Sequence, residues 1–154
     1  DGYMQALSKP MNLDYQAYQP VAYYLNGKYK GLMGLRERTN KDYVEANYGL
    51  DEDDIDHMEV VNESGVEATQ GTLDWYNELV KFLETEDPKS ETYFKTACKY
   101  MDMDEYIDFQ LFEHFIVNTD WPGNNAKIWR DRKNGKLRWI IFDTDFDKLY
   151  CRFL

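Results

Sequence analysis

The segment "NTDWPGNN", Asn118 to Asn125, follows directly on an apolar, helix-like run and packs an aspartate and three asparagines into eight residues. Pro122 fixes its own backbone angle, and Gly123 and the asparagines tolerate unusual ones, so a loop is expected here. Turn chemistry does not account for Asp120 and Asn125, a charged and a neutral oxygen ligand five positions apart. Further on, "WIIFDTDFD" sets Asp143, Asp145 and Asp147 where an apolar strand runs out. Alternate residues of an extended chain point the same way, which puts at least two of these carboxylates within reach of one side. Crowded carboxylates repel unless a proton or cation intervenes, and hard cations such as Mg²⁺ or Ca²⁺ take oxygen ligands. A metal site is one reading of the acidic strand end, and a solvated turn is the plainer one.

Taken together, the two stretches say more. Phosphoryl transfer on a kinase-like scaffold needs an aspartate that accepts the hydroxyl proton, and an asparagine and an aspartate that hold metal against the phosphates. Protein kinases space the first two as D-x-x-x-x-N and place the last at a strand end, before Phe-Gly. Here Asp120 and Asn125 keep that spacing, a hairpin follows, and "DTDFD" contains Asp145-Phe146. The His-Arg that precedes the kinase aspartate is missing, as is the final glycine.

The elements that must position these residues follow from pattern. "VAYYLNGKYKGLMGL" reads as a β-hairpin, Val21 to Leu25 and Tyr29 to Leu35 about an Asn26-Gly27 turn. Asn-Gly is the strongest short hairpin signal, because both residues accept the positive angles of a tight turn. "AKIWRDR", Asn134-Gly135 and "KLRWIIFD" give a second hairpin, whose apolar last strand is expected to be central. Between the hairpins the chain reads helical. "NKDYVEANYGL" runs from a capping Asn40 to Gly49, and "DEDDIDHMEVV" is an acidic, solvated loop running into a short apolar piece. "GTLDWYNELVKFLETED" spaces Leu73, Tyr76, Leu79, Val80 and Leu83 helically before Pro88, and "SETYFKTACKYM" makes another helix. "DMDEYIDFQLFEHFIVN" carries the longest stripe, with Ile107, Leu111, Phe112, Phe115 and Ile116. The fold class is α+β, two β-hairpins with intervening helices. His57 and His114 read as surface or helix-face residues, and Trp121, Trp129 and Trp139 as packing.

At 154 residues the chain suits a single domain with a sizeable core. A net charge of -11 argues against a nucleic-acid partner, whose phosphates need a basic face, and fits a basic partner, a cation or simple solubility. No apolar run approaches the roughly 20 residues that span a bilayer. Cys98 and Cys151 follow no metal or redox spacing.

The hairpin block, with its "LNGKYKG" turn and "LRE" strand end, resembles the spore coat protein H (CotH) kinase-like family. "NTDWPGNNAKIWR" followed by "GKLRWIIFDTDF" is similar to that family's second block, and the likeness extends from about Tyr15 to Phe146. The resemblance implies an atypical protein-kinase fold that moves the γ-phosphate of ATP, with Mg²⁺, to basic, serine-rich proteins in a secreted, cell-surface or spore-coat setting. It makes Asp120 the catalytic base and Asp143 the leading metal ligand, with Asp145 close behind and Asn125 assisting at metal and nucleotide. Glu37 is either a nucleotide-site residue or a hinge-like strand end, with Arg36 and Arg38 beside it as surface ion-pair partners. The resemblance also places the first strands and the phosphate-binding lysine before Asp1 and more of the domain after Leu154, making the chain a fragment. Two other readings stand beside it: a noncatalytic glycan- or protein-binding module on the same scaffold, and a hydrolase pairing Asp120 with Asp143 as acid and base.

Overall fold

The computed structural model describes residues 2–61 and 65–144. In chain order the elements are α1 (Gly2–Ser8), β1 (Tyr18–Leu25), β2 (Lys28–Arg36), α2 (Lys41–Tyr48), a short 3₁₀ turn (Glu52–Asp54), β3 (Ile55–Val60) and β4 (Val66–Gln70). They continue with α3 (Asp74–Thr85), α4 (Tyr93–Tyr100), α5 (Met103–Ile116), β5 (Lys127–Asp131) and β6 (Arg138–Ile140). The mixture is α+β, with two separate antiparallel sheets, one of β1 and β2 and one ordered β4-β3-β5-β6.

Both expected hairpins form. Asn26 and Gly27 take φ 50° and 74°, the left-handed pair that joins β1 to β2 tightly. β5 and β6 pair from Lys127 opposite Ile140 to Trp129 opposite Arg138. The expectation that β6 is central needs correcting, since it lies at the end of its sheet. Its apolar character comes from what covers its outer edge: Ile141 N–H donates to Asp14 O at 2.8 Å and Leu137 N–H to Tyr100 O at 2.9 Å.

The larger correction concerns the stretch between the hairpins. The "acidic loop and short apolar piece" is the 3₁₀ turn followed by β3, which with β4 makes a third hairpin, and β3 lies in the sheet interior between β4 and β5. Ile55, Asp56, His57 and Met58 are all buried, so β3 shows no apolar/polar alternation to read. Its polar residues are satisfied from far away in sequence. Asp56 pairs with Arg130 at 2.8 Å and Arg132 at 3.4 Å, and accepts from Thr72 N–H at 2.8 Å. Gly71, at φ 71°, is required beside it, because a Cβ there would meet Asp56 Oδ1 at 2.2 Å.

His57, expected at the surface, is 1% exposed with its Nδ1 2.5 Å from Thr69 Oγ1. Burial, aided by the charge of Lys127, pushes its pKa down from 6.5 to about 4. Between those values the unfolded chain takes up a proton that the folded chain refuses, so this contribution to stability is complete above pH 6.5 and is lost as pH falls toward 4. The expected loss is up to about 3 kcal/mol. Denaturant midpoints measured from pH 7.5 to 4 should show it, and a folded His57→Leu protein should show a flatter profile.

The four-stranded sheet carries helices on both faces. Ile55, Trp129 and Ile140 meet Tyr43 and Val44 of α2 on one side. On the other, Met58, Ile128, Leu137, Trp139 and Ile141 meet Leu79 of α3 and Phe109, Phe112 and Ile116 of α5. α2 ends as expected at Gly49, φ 68°. The stripe expected on α5 is only half right. Phe112 and Ile116 are buried, but Ile107, Leu111 and Phe115 are exposed, and the buried face is completed by Phe109 and two glutamates, Glu105 and Glu113. The reason is polar demand from the sheet and from the helix exit. Glu105 accepts Trp139 N–H at 3.1 Å with both oxygens, and burial pushes its pKa up to about 9 against the pull of Arg138.

A buried ion cluster ties the residues after α1 to the sheet. Asp14 accepts from Trp129 Nε1 at 2.7 Å, from Arg138 Nε at 3.1 Å and Nη2 at 3.0 Å, and from the Tyr48 hydroxyl. Arg138 also donates to Asp102. Trp129 and Trp139 are buried as expected, and among the described residues no helix is long and apolar enough to cross a membrane.

Candidate functional site

The site is built from the exit of α5 outward. Val117 closes the helix at φ 56°, its N–H donating to His114 O at 3.2 Å, and Asn118 N–H returns to Glu113 O at 3.2 Å. A β-branched residue in the left-handed region is a conformational outlier, of the sort held in place only by surrounding structure and found most often near functional sites. Asn118 is buried. Its Nδ2 donates to Glu113 Oε2 at 2.8 Å, and its Oδ1 accepts Asp120 N–H at 3.2 Å. Trp121 clamps the loop to α5, its ring edge-on to Phe109 at 5.9 Å and to His114 at 5.5 Å. The peptide between Trp121 and Pro122 is cis. Beneath it lies a cavity of about 230 Å³ lined by Trp121, Pro122, Tyr76, Leu79, Phe109 and Trp139, among others.

Asp120 stands exposed at the top of this loop. Its Oδ2 accepts from Asn124 Nδ2 at 3.2 Å and from Asn125 Nδ2 at 3.0 Å, and the Asn125 amide also donates to Asp143 O at 3.3 Å. The β5–β6 hairpin therefore carries the chain out and back, and brings Asp143 beside Asn125 and Asp120. Asn125 and Asp143 are both left-handed, φ 55° and 52°. The latter corrects the alternation argument: pairing stops at Ile140 and Asp143 is not extended, so its side chain is not aimed by strand geometry. Asp145 and Asp147 lie outside the described residues, as does Cys151.

Glu37 directly follows β2 and does not join this group. Its carboxylate accepts Ala17 N–H at 3.1 Å and Asn47 Nδ2 at 2.8 Å, while its carbonyl accepts Gln16 Nε2 at 2.5 Å. It lines a cleft of about 390 Å³ with Ala17, Tyr18, Gln19, Leu35 and Arg36. Two residues on, Thr39 O accepts from Lys127 Nζ at 3.2 Å, which links the Glu37 segment to the strand following Asn125. Lys127 also stacks over the Phe142 ring at 4.0 Å and approaches Glu59 at 3.7 Å, and burial lowers its pKa. Sequence reasoning passed over Lys127. Its only signal is a lysine directly before the apolar pair Ile128 and Trp129.

Glu113 was also missed, hidden within an apolar helix. It is 1% exposed, and burial pushes its carboxyl up to about 7 while the Asn118 hydrogen bond pulls it down.

Residues 1–152 match the family described as CotH kinase protein. The chain belongs to the CotH kinase family. No curated protein matches it. Membership makes this a kinase-like domain. Among the described residues of the CotH kinase chain, no group of three or more histidines, cysteines, aspartates or glutamates forms a metal cluster. What converges is one carboxylate oxygen of Asp120 and the main-chain carbonyl of Asp143, joined by the Asn125 amide nitrogen, and carboxylate and carbonyl oxygens are the ligand types a hard cation such as Mg²⁺ takes.

Proposed function

We propose that this CotH kinase family member transfers the γ-phosphate of ATP to a serine or threonine hydroxyl of a protein. The reading is carried by one observation, the Asn125 amide that joins Asp120 Oδ2 to the Asp143 carbonyl across the intervening hairpin. Asp120 accepts the hydrogen bond of the acceptor hydroxyl and aligns its oxygen for attack on the γ-phosphorus. The new O–P bond forms as the bond to the β–γ bridging oxygen breaks, ADP leaves, and the hydroxyl proton passes to Asp120 or the phosphoryl group. Asn125 and Asp143, with Asp145, would hold Mg²⁺, whose charge would offset that building on the phosphoryl oxygens. Glu37 touches the nucleotide from its cleft at the end of β2. The net charge of -11 supports a basic acceptor.

A binding module would present exposed aromatics with Asp120 and Asp143 apart; tyrosines of β1 and β2 are exposed, but the Asn125 link between Asp120 and Asp143 speaks against it. The hydrolase alternative asked for a raised carboxylate, and those found, Glu105 and Glu113, are buried away from the loop surface.

The test is calorimetry of ATP binding with and without Mg²⁺. Wild-type protein should bind ATP in a magnesium-dependent way, and Asp143→Ala should bind roughly tenfold or more weakly at unchanged melting temperature. Absence of both nucleotide binding and transfer to a basic, serine-rich protein would remove the reading.

A further inference from the structure

Glu113 occupies a place that physical chemistry disfavours on three counts. It is 1% exposed, it lies in the last turn of α5 where the helix dipole repels negative charge, and among the described residues its Oε1 has no hydrogen-bond partner. An apolar side chain would suit the same packing better, so the carboxylate is there for what its other oxygen does. That oxygen holds Asn118 Nδ2 at 2.8 Å, while the Glu113 carbonyl holds Asn118 N–H.

Gripped at both points, the Asn118 amide has one orientation. Nδ2 faces Glu113, and Oδ1 is left facing Asp120 N–H at 3.2 Å. The left-handed turn at Val117 brings the two ends of this grip together. We infer that Glu113 is a positioning residue for Asp120: through the fixed Asn118 amide it holds the backbone from which the Asp120 carboxylate is presented. This deepens the reading of Asp120 as the base and rests on it. Without the glutamate, Asn118 is free to rotate, and Asp120 loses the anchor of its N–H while Asn124 and Asn125 still reach its side chain.

Hydrogen exchange at the Asp120 amide, followed by NMR, tests the grip without relying on turnover. In wild type this amide should be protected. In Glu113→Ala it should exchange at least about tenfold faster, with the Ile128 and Trp129 amides unchanged, whereas Glu113→Gln, which still accepts from Asn118, should stay within about threefold of wild type. If Glu113→Ala fails to fold, Asn118→Ala removes the same link and should give the same acceleration. An unprotected Asp120 amide in wild type, or unchanged exchange in the folded variants, overturns the inference.

Kinetics add a second reading. Glu113→Ala should lower kcat about 10- to 100-fold with the KM for ATP unchanged, and Glu113→Gln should restore most of it. Equal losses in both variants would mean that the charge, not the grip, matters, and would also overturn it. If wild type transfers no phosphate at all, the proposed function fails while the exchange experiment still decides the role of Glu113.

Discussion

Asp120→Ala is expected to fold like wild type and to lose phosphoryl transfer by roughly 10²–10⁴-fold. The two halves of that expectation come from different observations. Asp120 is exposed, and its side chain accepts only from Asn124 and Asn125 among the described residues, so truncation opens no cavity and strands no buried charge. The loop is held instead by Trp121 against Phe109 and His114, and by Asn118 on Glu113. Asp120 is nonetheless the exposed group that, in the proposed transfer, meets the acceptor hydroxyl. Phosphate transferred from ATP to a basic, serine-rich protein, read alongside the melting temperature, checks both. Undiminished transfer by a folded Asp120→Ala protein would take this aspartate out of the mechanism.

The second large effect is on stability. Asp14→Ala should destabilise the fold by about 3–5 kcal/mol, because among the described residues it leaves the Arg138 guanidinium, in a mostly buried place, hydrogen-bonded only to Asp102. It also strips the Trp129 indole N–H and the Tyr48 hydroxyl of their acceptor. The loss arises from leaving a charge and two donors without a partner, more than from the worth of the ion pair itself. Adding Arg138→Met to Asp14→Ala should therefore recover part of the loss. Urea unfolding of the two single variants and the double variant measures this, and strict additivity would contradict it.

How much of this was legible depends on the range over which each signal acts. The Asn26-Gly27 turn and the Gly49 helix end are local, since each needs only its own backbone angles. The spacing of Asp120 and Asn125 survives as well, because loop geometry over five residues is nearly local. β3 was illegible for the opposite reason. "IDHMEV" looks too polar for an interior strand until Arg130, Arg132 and Thr69 arrive from other strands and a loop to satisfy Asp56 and His57. The same holds for α5, where Glu105 and Glu113 sit inside and Ile107, Leu111 and Phe115 outside. A hydrophobicity pattern ranks these residues in the reverse order, because it does not see Trp139 N–H or Asn118. Asp143 was placed near the site by the family resemblance and its position at the strand end, and its left-handed backbone has only a weak local signal, aspartate's tolerance of that region.

The β1–β2 sheet has a thermodynamic consequence. Nearly every residue of both strands is exposed, and Tyr18, Tyr24, Tyr29, Leu32, Met33 and Leu35 show much of their surface to solvent. Two strands without a covered face are marginal by themselves. Fluctuations that open the hairpin from its Asn26-Gly27 tip down to Glu37 need not disturb β3, so the amides of β1 and β2 should exchange through openings of lower free energy than those of the four-stranded sheet.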